Sequence, residues 1–317
     1  MTYSKFPLLK KIKDENLTLE KQKKEFDKEK IFKSYSSGFG LKSIIGSSYK
    51  STDKNDFQKL VKRMRFARKS GYPIFFSIGS EVIDKGLSPL IIDLMHRGWI
   101  SAISVDEDFL IKDFELSLSG NFIDYRNTEK GRFAGCGIAE ETGLFLNIAF
   151  KEGNRKGTGA GEAVGEYLEG AKFKFNKYSI IANGYRLNIP VILHSTIGTN
   201  KLHYHKNFDG GIFGNLLDRD FIMYSSIMSK LINNGIYISI NMDKNGLNIL
   251  TNSIGFCMES GFRIKKFSIC TLGEIEDCSV KRGMEDMNSS NEISVLCTGG
   301  DSDLILPILT LALLEQA

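Results

Sequence analysis

The chain has little that would tie it to a membrane, an oxidising compartment or a nucleic acid. No apolar run approaches the roughly 20 residues that cross a bilayer, and the opening MTYSKFPLLKK has no apolar core ahead of a small-residue cleavage site. The expectation is a cytoplasmic protein with no membrane contact. Cysteine is scarce: Cys136, Cys257, Cys270, Cys278 and Cys297 are odd in number, scattered, and contain no C-x-x-C pair. That pattern argues against a disulfide frame or a zinc site. Excess charge is small as well, +4 over 317 residues. The lysines crowded between Lys10 and Lys33 alternate with acids and read as a solvated helix face rather than a nucleic-acid contact. No internal repeat or low-complexity tract is present. What remains is a 42% hydrophobic chain, long enough to bury a large core.

The first residues, 1–53, read as a charged helical arm, and 54–317 as one α/β domain. DFQKLVKRMRFARKS has helical spacing, with Phe57, Leu60, Val61, Met64 and Ala67 on one face. PIFFSIG and WISAISV read as buried strands around a helix, SPLIIDLMHRG, capped by Ser88 with Pro89 at its first position. The spacing predicts helices in FLIKDFELSLSG, ETGLFLNIAFKEG, GEAVGEYLEGA and RDFIMYSSIMSKLINNG. Strands are expected over Ile189–Gly198, Ile236–Met242, KKFSICTLG and ISVLCTGG. Strands spaced by helices imply a Rossmann-like parallel sheet covered on both faces. Such sheets take ligands at the carboxyl ends of their strands, which points to the turns after Ile78, Val105, Ile197, Ile240 and Cys297.

Those turns differ in chemistry. In SIGSE, Gly79 permits a tight bend and Ser80 offers a hydroxyl and a backbone N–H to a phosphate or ribose. In VDEDF three carboxylates fill a place where a phosphate cradle needs glycine. Asp106 or Asp108 either caps the following helix or belongs to a site for a cation or an amine. In HSTIGTNKLHYHKNFDGG, His194, His203 and His205 precede Asp209. If His203 and His205 lie on a strand, both point to one face. Hydrogen-bonding histidines around a substrate pocket or subunit contact are the preferred reading over a metal site. NMDKNG is polar. In TGGDSD, Gly299 and Gly300 permit close backbone approach and Asp301 can take ribose hydroxyls, or Asp301 or Ser302 caps the last helix.

The segments GLSPLIIDLMHRGWI, KDFELSLSG, GCGIAEETGLFLNIAFKEG, IPVILHSTIGTNKLHYH with FDGGIFG, and the closing TGG and SDLILPIL resemble deoxyhypusine synthases, most of all their bacterial relatives. The likeness runs in order from about Ile74 to Leu314. The resemblance implies tetramers built from tight dimers, and transfer of an aminobutyl group from spermidine or a related polyamine to an amine acceptor, with NAD as cofactor. It matches Ser80 and Asp301 to cofactor-binding positions, in the turns where Gly79, Gly299 and Gly300 are the cofactor-binding candidates read from the residues themselves, and Glu140 and Glu141 to a pair without a defined role. It departs at Asp106-Glu107-Asp108, at Asn200, where an acid anchors a polyamine amine, and at NMDKNGLN. The Trp-Gly-Lys motif that supplies the catalytic lysine is absent; Lys281 is the nearest lysine to its place. Two functions follow: an NAD-dependent aminoalkyl transferase with Asp106, Asp108, Asn200 and Asp209 toward a polyamine or small amine, or a degenerate homologue that binds or regulates, as a homo-oligomer or beside an active relative.

Overall fold

The computed structural model describes residues 19, 54–123, 138–241, 243–273, 278–288 and 292–314. Apart from Leu19, the expected arm over 1–53 lies outside them, as does Cys136.

Helix α1 (Lys54–Ser70) leads into β1 (Ile74–Ile78), the short α2 (Glu81–Asp84), α3 (Ser88–His96), β2 (Ala102–Val105) and α4 (Glu107–Ser119). Helices α5 (Glu140–Lys156), α6 (Ala160–Ala171) and α7 (Ile180–Arg186) precede β3 (Val191–Leu193). Then come α8 (Gly210–Leu231), β4 (Ile236–Ile240), α9 (Lys244–Glu259), β5 (Phe267–Leu272), α10 (Cys278–Asn288), β6 (Ile293–Thr298) and α11 (Ser302–Leu314). The six strands among the described residues are all parallel, in the order β3-β2-β1-β4-β5-β6. This is the doubly wound Rossmann-like arrangement, and its strand order reverses between β1 and β4.

The side-chain period of two divides the core. Phe75 pairs in register with Ala102 on β2 and Tyr237 on β4, and Tyr237 with Ile269 on β5. These residues build one apolar layer, beneath Tyr224 and Met228 of α8. Ile74, Phe76 and Ile78 point the other way, into a larger layer with α1, α3 and α4. Both layers are sealed, so β1 is buried at all five positions, as expected for a parallel strand covered on both faces. Leu60, Val61, Met64 and Ala67 of α1 are buried as their spacing predicts.

Several expectations are corrected. Ser88 lies inside α3 and does not cap it; Leu87 holds the N-cap, and the Ser88 hydroxyl is buried without a hydrogen-bond partner among the described residues. The strand expected over Ile189–Gly198 shortens to three residues, because the four-residue β2 offers no ladder beyond Leu193. The ligand-side turn therefore follows Leu193 rather than Ile197. His203 lies in a 3-10 turn, Lys201–Tyr204, and His205 closes it, so the two rings share no strand face. Among the described residues, no helix is long and apolar enough to cross a membrane.

Candidate functional site

Four strand ends, those of β1, β2, β3 and β4, open onto two adjoining hollows. The inner one, about 250 Å³, lies at the reversal of strand order between β1 and β4. The outer one, about 670 Å³, is bounded by the turns after β2 and β3 and by α9. Asp106, His194 and Asp243 line both, so the hollows form one cleft.

The acidic turn after β2 sends its three carboxylates in three directions. Asp106 caps α4, accepting from Phe109 N–H at 2.6 Å. Its other oxygen faces Gly79 and would lie 3.5 Å from a Cβ there. Burial, together with the neighbouring Asp108 and Asp243, outweighs that hydrogen bond and raises the Asp106 carboxyl to about 6. Glu107 turns inward and is only 4% exposed. Its Oε2 accepts from the Ser195 hydroxyl and stands 3.1 Å from His203 Nε2. That ion-pair distance is not matched by hydrogen-bond alignment, since His203 Nε2 has no aligned partner among the described residues. The Nδ1 of His203 accepts from Gly198 N–H at 2.9 Å, which puts the ring proton on Nε2, toward Glu107. Glu107 Oε1 has no hydrogen-bond partner among the described residues. Asp108 accepts from Asn200 Nδ2 at 3.1 Å.

The remaining wall comes from β3 and β4. His194 Nδ1 is sealed from solvent and has no hydrogen-bond partner among the described residues, although the residue as a whole is partly exposed. Burial lowers the imidazole to about 4 against the opposing pull of Asp243, so His194 is neutral near pH 7. Asp243 caps α9 by accepting from Gly246 N–H at 2.7 Å. Asn241 holds a left-handed backbone, φ 53°, and donates its amide to Glu81. A non-glycine residue in that conformation at a ligand-side turn is a strained feature held in place by its surroundings.

The expected residues therefore divide. Gly79, Ser80, Asp106, Asp108, His194 and Asn200 converge on the cleft. His203 stands behind Glu107. His205 packs against Gly143 of α5 and lies 3.3 Å from Glu140, on another side of the helix layer. Asp209 is an exposed cap of α8, accepting from Gly211 and Ile212 N–H groups. In the final loop Gly300 takes φ 116°, and Asp301 and Ser302 both accept from Lys85 Nζ at 3.1 Å. Neither glycine of that loop lines the cleft. Lys281 falls on α10, in the connection between β5 and β6. Glu81, Ser195 and Asp243 were missed as site residues. The signal for Asp243 was legible, an aspartate three residues ahead of Gly246 at a strand end. Among the described residues, no three His, Cys, Asp or Glu side chains are grouped to hold a metal ion.

The frame is the Rossmann-like one, in which a pyrophosphate sits at the first turn when a dinucleotide is bound, and the first turn here is acidic. A carboxyl oxygen of Asp106 borders Gly79, 3.5 Å from where a Cβ would stand, and Glu81 and Asp243 add negative charge to the same hollow. The helix after Ser80 has four residues and little dipole to offer an anion.

Fold and cleft define a Rossmann-like α/β protein with an acid-walled cleft at its topological switch point. The chain matches no family model and no curated protein sequence. Among solved structures it is similar to AgrE in ternary complex with ornithine and NAD+, at 12% identity and a TM-score of 0.56, over 85% of this chain and 34% of that one. It is also similar to a LOR/SDH protein from Methanococcus maripaludis, at 17% identity and a TM-score of 0.53, over 85% and 73%. A structure described as a deoxyhypusine synthase from Entamoeba histolytica aligns at 11% identity over 90% and 97%, with a TM-score of 0.44, too low to bear on the argument. The chain spans about a third of the length of AgrE. These likenesses establish the fold, and the deoxyhypusine synthase family stands as a resemblance carried by the sequence segments.

Proposed function

We propose that the cleft binds a small aliphatic amine of the polyamine class, and that the protein works by binding it rather than by dinucleotide chemistry. The observation that carries this reading is the charge of the outer hollow, which Asp106, Glu107, Asp108 and Asp243 line with, among the described residues, one cationic side chain, Lys201. Phe221 and Ile249 add apolar wall to the same hollow, surface that the methylenes of a polyamine can cover. His194, neutral at physiological pH, adds no repulsion. Calorimetric titration with spermidine is expected to show saturable binding that weakens as salt is raised and about tenfold further in Asp108→Asn. No heat is expected from NAD+ at millimolar concentration.

A second reading, NAD-dependent aminoalkyl transfer, is favoured by the strand order that puts Gly79 and Ser80 at the switch point and by the NAD+ bound in AgrE. It requires the pyrophosphate to lie beside the carboxylates of Glu81, Asp106 and Asp243. Saturable NAD+ binding overturns the first reading in favour of the second; absence of any amine binding overturns both.

A further inference from the structure

We infer that a hollow at the β3 edge of the sheet, apart from the cleft, binds a small organic acid, its carboxylate on the Arg219 guanidinium and its apolar body against Tyr185 and Met223. This goes beyond the amine reading and does not rest on it, since the hollow shares no lining residue with the cleft.

The hollow measures about 620 Å³, within the range of cavities that hold small ligands. It lies between the α5–α6 connection, the turn from α7 into β3, and α8. Arg219 of α8 is half-buried there. Its Nη1 donates to Asn154 Oδ1 at 3.1 Å and to the Thr158 carbonyl at 3.3 Å. Both acceptors belong to α5 and its exit, so the guanidinium plane is fixed before any ligand arrives. The other edge, Nε and Nη2, has no partner among the described residues. That edge is a fork able to grip a carboxylate with two parallel N–H···O bonds.

A shortage of acids does not explain the open fork, because Glu162 and Asp220 line the same hollow. Asp220 is committed elsewhere: Oδ2 accepts from the Ala160, Gly161 and Leu193 N–H groups, and Oδ1 is packed against Gly159. Glu162 is exposed and forms no ion pair with Arg219. The walls give a second, independent indication. Tyr185 and Met223 are 42% and 45% exposed on this hollow, and half-buried Ile189 and Pro190 extend the apolar surface. One cation beside open apolar wall suits a ligand with one negative charge and a hydrocarbon body. A phosphate group carries up to about two negative charges; the second would face Glu162, and the wall would go unused.

The experiment titrates 4-phenylbutyrate and its uncharged amide, 4-phenylbutyramide, into the full-length protein, following backbone amide shifts by NMR. The acid is expected to bind saturably and at least about tenfold more tightly than the amide, because its carboxylate alone accepts from both donors of the fork. Arg219→Lys keeps the charge and loses the fork, and is expected to weaken the acid about tenfold while moving the amide less than about twofold. Met223 is an exposed position whose truncation the fold tolerates, so Met223→Ala tests the wall, with an expected loss of about threefold for both probes. Equal affinities for acid and amide, an acid affinity unmoved in Arg219→Lys, or no saturable binding up to about 10 mM overturns the carboxylate site. Unchanged affinities in Met223→Ala overturn the placement of the apolar body. Titration with spermidine reports on the cleft, so the amine reading and this site fail separately.

Discussion

Asp113 and Asp220 are buried among apolar side chains, and each faces backbone N–H groups at the start of a helix. Asp113 accepts from Ile180 N–H at 2.8 Å and from the Ser179 hydroxyl, at the start of α7. Asp220 Oδ2 accepts from Ala160, Gly161 and Leu193 N–H groups at 3.0, 3.3 and 3.0 Å. Burial outweighs these bonds and raises both carboxyls from 3.8 to about 7. Between those values the folded protein binds more protons than the unfolded chain, so these groups withdraw stability as pH rises through the window. His194, lowered from 6.5 to about 4, works in the opposite direction. Comparison with Asp220→Asn isolates one carboxyl from all the others. In urea unfolding, the advantage of wild type over this variant is expected to shrink by a few kcal/mol from about pH 4 to pH 7. A constant or growing advantage would contradict the raised value. Neither acid was legible as a cap in the sequence, because each serves a helix more than 50 residues away. Asp106, three residues from the N–H it caps, was legible for the opposite reason.

At the scale of elements, strands and helices with plain periodicity were legible, and the pieces decided by neighbours were not. Helix α7, with Asn183-Gly184 inside it, carries a turn signal in its sequence, yet its start is fixed by Asp113 and Ser179. The run GTGAGE ahead of α6 has the spacing of an anion loop, but its first N–H groups already belong to Asp220. The glycine at 161 serves packing: a Cβ there would collide with the Val191 carbonyl oxygen of the edge strand. Gly161→Ala is therefore expected to cost about 3 kcal/mol in chemical denaturation, since backbone rather than a flexible side chain must move. A loss below about 0.5 kcal/mol would show that α6 and β3 can part without consequence. The short β3 follows the same logic, because a strand ends where its neighbour does, whatever apolar residues follow.

For the molecule as a whole, alternation of strand and helix was enough to foresee a parallel sheet, and the rule that ligands gather at strand ends located the cleft. Which acids would share that cleft was not legible, because Glu81, Glu107 and Asp243 follow three different strands and meet only through the strand order. The far side of the sheet has its own organiser. One oxygen of Asp220 on α8 receives N–H groups from the start of α6 and from β3, the edge strand. An edge strand ordinarily frays first, exchanging its amide hydrogens ahead of the interior. Here the Leu193 amide cannot open without disturbing the acceptor it shares with Ala160 and Gly161. In deuterated buffer the three are expected to exchange as one cooperative unit, and to separate into fast and slow amides in Asp220→Ala. At Leu193 the border of the sheet then owes its protection to a single side-chain atom.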